Sequence, residues 1–509
     1  MERSKTAKGF ELGPRQVAFV GLVTVSLCAA LASLRLYYNI SFAEPLHYVS
    51  SGDEQSSLFA IWRVAEGLSP YTDRFAPPFT LASYNWLYYK VYGDVFVAAS
   101  ALFSLDDSWV PTVSRLFTLL GWAVSGLFSY LVLALVVAQT DGRWFRVLAA
   151  GFALLIAIGP LVGFWLITVR PDIWAFALEI IGFWVFVKWY PEKRPLAVGG
   201  FAAFFYAAWA FKQTAVLVGG GIGLYLLVRR DWRMAFLLAG LMIVAWGLTF
   251  LLAGADYRDA LLFSGVPLEY TVTNGLRNLF HWAGKFAPGV AGAAVLVLLI
   301  AANAEVRQTV IENQHVVLGL SGLAVSVGLA LLASTQTGAA ENYFFQAAFF
   351  SAYLTIAGMA TLGVGQSGPS FQLAAGVIAG WLVLSIAVGA ALTGVVGIKD
   401  LTGQHRSYKA LKACLDDVPR PLFVNEVYLS LPWMTPRSEP YVLSFFYERE
   451  RVLDQPFDGD GIGGRIRNGH FAALAFWQGS VTERFDGASL KKYEKKPLPC
   501  GNLDIWLRK

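Results

Sequence analysis

Residues 16–57 read QVAFVGLVTVSLCAALASLRLYYNISFAEPLHYVSSGDEQSS, and this stretch decides the class of fold. From Gln16 to Tyr38 it is almost uncharged, and a helix needs roughly 20 such residues to cross a bilayer. Two adjacent acids, Asp53 and Glu54, follow at the mouth of that helix. Working outward, similar apolar runs recur along most of the chain, whose mean hydropathy is +0.52 with only 15% charged residues. That composition excludes an ordinary soluble domain and specifies a polytopic membrane protein. The net charge of +5 is spread without a basic tract, which speaks against a nucleic-acid partner.

The flank MERSKTAKGFELGPRQ is too long and polar for a cleaved signal, so the first span is expected to be an uncleaved anchor. Further spans are expected at 110–138, 145–166, 172–188, 196–211, 214–228, 234–254, 287–303, 316–333, 346–364 and 372–397, about eleven helices in all. An odd number puts the N-terminus (1–15) in the cytoplasm and the C-terminus outside. The positive-inside rule agrees, since Arg143, Arg146, Lys188, Lys193, Arg194, Arg229, Arg230 and Arg233 fall on expected inner connections. Outer connections carry only isolated cations such as Arg170 and Lys212. The transmembrane region is thus expected over 16–398, with Asp53 and Glu54 on its outer face.

Residues 39–108 form a long first outer loop. In it, SSLFAIWRVAEGL (56–68) and FTLASYNWLYYKVYGDVFVAASALF (79–103) mix aromatics with isolated charges, as helices lying along a membrane surface do. Pro70, Pro77 and Pro78 break helix between them. Beyond 399 polarity rises sharply. The runs RPLFVNEVYLSL (420–431), PYVLSFFY (440–447) and HFAALAFWQ (470–478) read as strands or short helices of a small outer α/β domain over 399–509. Cys28 lies in the first span as a packing residue. Cys414 and Cys500 would be free to form a disulfide in an oxidising compartment, although spacing alone does not supply the geometry.

Ionisable groups in or beside membrane spans are costly and need a reason. Asp53–Glu54 is either a poised proton acceptor or a helix cap on SSLFAIWRV. In TVRPDIWAF, Arg170 and Asp172 either pair across a structural turn or hold an anion at a helix start. Lys212 in FKQTAVL either snorkels or meets a phosphate. Asn342 and Tyr343 in AAENYFFQAAFF open an outer helix end, with capping as the plain role for Asn342. Arg115 is expected to pair with Asp106 or Asp107. The histidines show no metal spacing, and no phosphate-binding glycine loop is present. The glycines of VGGGIGLY (218–225) read as close helix packing.

Taken together, DE after span one, EGLSPYTD, APPF, YNWLYYKVYG, VSRLFTLLG, RPD, FKQTA and ENYFFQAAFFSAYL resemble the GT-C superfamily of integral membrane glycosyltransferases. More narrowly, the pattern is similar to bacterial relatives of protein O-mannosyltransferases and lipid A aminoarabinose transferases. The resemblance implies inverting transfer of a sugar from a polyprenyl-phosphate donor to an acceptor outside the cytoplasm, whether glycolipid, polysaccharide or protein. It implies Asp53 as general base, Glu54 as its support, Lys212 and Arg170 on the donor phosphate, and Asp172, Asn342 and Tyr343 in the donor or acceptor pocket. Some relatives use a divalent metal, for which no third ligand stands out, and some carry Tyr-x-x-Pro where this chain has ENYFFQ. Two other classes compete. A secondary transporter or lipid flippase would place acids at the membrane midplane, where Glu179 is the one candidate. A noncatalytic assembly or sensor protein would leave the aromatic first loop without a use.

Overall fold

The structure is a computed structural model. It describes residues 41–47, 54–138, 143–263, 270–362, 378–388, 397–435, 461–479 and 490–509, apart from single positions 74, 81, 337 and 427, and adds isolated helical positions between 23 and 37. Asp53, Cys28 and the run 440–447 lie outside the described residues.

The chain is mostly helical. Two helices, α1 (Glu54–Ala65) and α2 (Trp86–Phe103), occupy the first loop, on either side of the proline-broken link. The bundle continues through α3 (Val110–Val137), α4 (Arg143–Ile158), α5 (Asp172–Trp189), α6 (Arg194–Phe211), α7 (Leu217–Val228) and α8 (Trp232–Leu252). After these come α9 (Ala255–Phe263), α10 (Val272–Lys285), α11 (Ala287–Ala302), α12 (Ala304–Glu312), α13 (Gln314–Ala333), α14 (Phe345–Thr361) and α15 (Ile378–Val388). Finally α16 (Gly397–Asp416) leads into β1 (Leu422–Val424), α17 (Gly461–Asn468), β2 (Ala473–Trp477), β3 (Tyr493–Cys500) and β4 (Leu503–Arg508).

Among the described residues, four stretches are long and apolar enough to cross a membrane alone: 107–137, 232–252, 314–333 and 341–361. The pair α10–α11 makes a fifth if taken as one span, although it bends by 97°. The bend falls at Phe286, with Pro288 in the first turn of α11, where its missing N–H costs no intrahelical bond. The expected spans at 145–166 and 214–228 correspond to shorter apolar helices. The expected span at 172–188 is helical but carries Asp172, Glu179 and Lys188. The protein is therefore a polytopic membrane protein with α14 at its centre and α8 at its edge. Of the most apolar window of each, 83% is buried in α14 and 11% in α8.

Two apolar clusters hold the molecule together. One fills the bundle, with Phe183, Phe186, Phe349, Phe350 and Tyr353 in it and Phe183 edge-on to the last three. The other is continuous from the first loop to the C-terminal region, joining Leu58, Phe59, Tyr88 and Tyr92 to Tyr428, Leu431 and Trp433. Between membrane helices lipid is as apolar as these side chains, so close packing rather than water exclusion joins the bundle. The C-terminal region is built on a four-stranded sheet of order β1-β2-β4-β3. In it β1 runs parallel to β2, and the other neighbours are antiparallel. Two of the expected runs, 420–431 and 470–478, supply β1 and β2, whereas β3 and β4 went unread. Cys414 on α16 and Cys500 at the end of β3 form a disulfide, with Cα atoms 5.6 Å apart.

Candidate active site

Glu54 opens α1, where a negative charge suits the helix dipole. Its side chain is fully buried. Its carboxylate accepts from Arg115 Nη2 at 3.3 and 3.4 Å and from the Val169 N–H at 3.1 Å. Arg115, equally buried, comes from the second turn of α3. The expected pairing of Arg115 with Asp106 or Asp107 is thus corrected. Asp106 caps Ser108 and Asp107 accepts from Trp62 Nε1, because both lie at the start of the helix while Arg115 points inward.

The Val169 peptide is held from both sides, since its carbonyl accepts from the Tyr88 hydroxyl at 2.9 Å. The next residue, Arg170, donates to the Tyr84 hydroxyl at 2.7 and 3.1 Å and lies over the Trp165 ring at 5.3 Å. Two residues further, Asp172 starts α5. It accepts from Lys212 Nζ at 2.5 Å and from Asn342 Nδ2, and stands 3.8 Å from Arg170 Nε. Lys212 also sits 4.8 Å over the Tyr343 ring. The structure therefore brings together Arg170, Asp172, Lys212, Asn342 and Tyr343, and joins them to Glu54 through the four residues 169–172.

Two of the plain readings are displaced. Lys212 does not snorkel, because its side chain is only 11% exposed and ion-paired. Asn342 does not cap its own helix turn, because its amide goes to Asp172. Glu341 pairs with Lys285 instead of facing this cluster. Two cations, Lys212 and Arg170, thus face the carboxylate of Asp172. The cavity that Asp172, Lys212, Asn342 and Tyr343 line with Thr214 and Gln346 holds about 20 Å³, space for about one water. A larger apolar cavity of about 570 Å³ is lined by Tyr71, Trp86, Tyr206, Leu248, Thr249 and Tyr257. Leu248 and Leu252 on its α8 side are exposed on the bundle surface. Among the described residues no group of three or more His, Cys, Asp or Glu is placed to hold a metal.

Sequence reasoning missed the tyrosines that carry this site. Tyr71 OH donates to the Tyr84 carbonyl at 3.0 Å, and Tyr89 OH accepts from the Tyr84 N–H at 3.1 Å. The signal was present in YNWLYYKVY, whose spacing puts Tyr88, Tyr89 and Tyr92 on one buried face of α2. Tyr428 was also missed. It is fully buried and comes from the C-terminal region. Burial pushes its phenol up, with Arg115 opposing and Glu54 adding to that shift, which places Tyr428 in the field of the pair.

No family model matches the chain, and no curated protein matches it. Solved structures do. ArnT from Cupriavidus metallidurans bound to undecaprenyl phosphate is 15% identical, with 96% of this chain and 98% of that chain covered and a TM-score of 0.57. The same protein in the apo state gives 0.58 over the same shares at 15% identity. Archaeal oligosaccharyltransferase AglB from Archaeoglobus fulgidus, in complex with an inhibitory peptide and a dolichol-phosphate, is 10% identical. It gives a TM-score of 0.51 over 96% of this chain and 75% of that one. At these identities the likeness establishes the fold, which this chain shares with ArnT and AglB.

Proposed function

We propose that this chain is an inverting glycosyltransferase that moves a sugar from a polyprenyl-phosphate donor to an acceptor outside the cytoplasm. The observation that carries this reading is the short connection, 169–172, between the acidic segment of the first loop and the Arg170–Asp172–Lys212 cluster. A base and a cationic pocket side by side are what displacement of a lipid phosphate requires. The fold supports the same class, since ArnT is seen with undecaprenyl phosphate and AglB with dolichol-phosphate.

In this reading Asp53 takes the proton of the acceptor hydroxyl as its oxygen attacks the anomeric carbon. The bond from that carbon to the phosphate oxygen breaks, and the polyprenyl phosphate leaves with the electron pair. Glu54, bonded to Arg115 and Val169, is the support of the neighbouring base in this reading. Lys212 and Arg170 receive the phosphate. An incoming phosphate competes with Asp172 for Lys212, so the small cavity opens by exchanging one ion pair for another. Asn342 and Tyr343 line the sugar side, and the apolar cavity of about 570 Å³ takes the first isoprene units of the tail. The disulfide between Cys414 and Cys500 supports an oxidising location for the C-terminal region, and so an inner-membrane protein with a cytoplasmic N-terminus.

The test is sugar transfer in membranes supplied with polyprenyl-phosphate sugars. Asp53→Asn is expected to lower turnover by a factor of about 10²–10⁴, the usual worth of a general base. Full activity in the correctly inserted variant removes Asp53 as base. No consumption of any lipid-linked sugar by the wild type removes the enzyme class.

A further inference from the structure

Glu179 lies on α5 seven residues beyond Asp172, on the same helix face and two turns deeper. It is fully buried within the bundle. A carboxylate at such depth is costly unless its oxygens are satisfied. One oxygen accepts from the Val218 N–H at 3.2 Å and the other from Gln346 Nε2 at 2.5 Å.

Gln346 lines the Lys212 cavity, and Val218 directly follows Leu217, which lines it too. Helix α6 ends at Phe211 and α7 begins at Leu217, and the residues between form a tight turn that carries Lys212. In that turn the Ala215 N–H reaches the Lys212 carbonyl and the Val216 N–H reaches the Thr214 carbonyl, each at 2.9 Å. Val218 stands in the first turn of α7, where backbone N–H groups have no partner within the helix. Glu179 supplies that partner. Gln346, in the first turn of α14, itself lines the cavity with Asp172, Lys212, Asn342 and Tyr343. One carboxylate thus ties the Lys212 turn to the helix that follows Asn342.

We propose that Glu179 is a positioning residue that preorganises the Lys212–Asn342 pocket for an anionic phosphate group. The proposal rests on the transfer reading above and names the part of the site it governs. A side chain of the same size without charge keeps the Val218 bond. A carboxyl at position 346 removes the amide donor that Glu179 accepts from and sets two acids face to face, which burdens the site with an added proton or a repulsion.

The experiment uses the full chain in lipid nanodiscs, with donor KM and kcat measured alongside binding of sugar-free polyprenyl phosphate by tryptophan fluorescence. Gln346→Glu is expected to raise the donor KM and weaken polyprenyl-phosphate binding by about tenfold, the low end for a lost charge-assisted hydrogen bond. Its kcat is expected to change far less. The exchange Glu179→Gln with Gln346→Glu is expected to restore both values. In that exchange the new amide at position 179 accepts from Val218 through its oxygen and donates through its nitrogen to the new carboxylate at position 346. A merely structural role lowers the yield of folded protein and leaves KM and binding of the folded fraction alone. Unchanged KM and binding in Gln346→Glu, or a folded exchange variant without recovery, overturns the proposal. If the wild type transfers no sugar yet binds polyprenyl phosphate, the binding series still decides the role of Glu179 while the transfer reading falls.

Discussion

Glu54 is fully buried, and its partners decide what its charge costs. Its carboxylate is matched to a buried guanidinium and a backbone N–H, which is the arrangement that makes a buried ion tolerable. Removing one partner of such a pair leaves an uncompensated charge. Arg115→Met is therefore expected to cost about 3–5 kcal/mol, read as a lower unfolding temperature in detergent. Adding Glu54→Leu to it is expected to recover most of that stability while transfer stays lost. Recovery of transfer together with stability would remove Glu54 from the site. Arg170, Asp172, Lys212, Asn342 and Tyr343 were all singled out from the chain as costly or unexplained polar groups, and the structure brings them together. That Lys212 is already neutralised by Asp172 was not legible, because the two are 40 positions apart and only distance sets their interaction.

At the scale of the element, VGGGIGLY shows how local composition becomes packing. A Cβ built on Gly221 would stand 2.7 Å from the Gly322 Cα, so α7 and α13 touch through their backbones. Gly223, two positions on, has nothing within 4 Å. Gly221→Ala is expected to destabilise the bundle by about 1–3 kcal/mol through overpacking. Gly223→Ala is expected to be neutral or slightly stabilising, since alanine is the better helix former. Thermal unfolding of the two variants side by side checks this, and equal effects would reject the contact. The helices were readable from long apolar runs and from the proline break between α1 and α2. Strands β3 and β4 were not, because β3 (YEKKPLPC) is an edge strand rich in lysine and its pattern is that of a solvated loop.

For the whole molecule, the first loop and the C-terminal region behave as one body. They share an apolar cluster, and a polar junction adds to it. The His47 N–H donates to His405 Nδ1 on α16 at 3.0 Å, and the two rings stack at 6.0 Å. Glu44 pairs with Lys409 at 2.5 Å beside them. Burial, with His405, Lys412 and Lys409 adding to it and Glu44 opposing, pushes the His47 imidazole down from 6.5 to about 4. The sign of the effect follows from proton uptake. The unfolded chain binds a proton on His47 near pH 6.5, whereas the folded chain resists until about pH 4. Stability is therefore expected to fall as pH drops across that window and to level off below it. His47→Phe is expected to flatten this acid limb in unfolding measured against pH. Superimposable limbs for variant and wild type would remove His47 as the cause.

The amino-acid sequence by itself determined that the chain lives in a membrane, that its helices are many, and which few polar side chains are too costly to be accidental. Hydrophobic run length and the desolvation cost of charge are properties of composition and order, so they can be read without coordinates. Only the tertiary structure decided which of those charges face one another. It paired Glu54 with Arg115 and Lys212 with Asp172, bonded Glu179 to the first turn of α7, and put the C-terminal Tyr428 in one apolar cluster with the first loop. Coulomb attraction and hydrogen bonding depend on separation in space and on local dielectric, and neither is written in chain order.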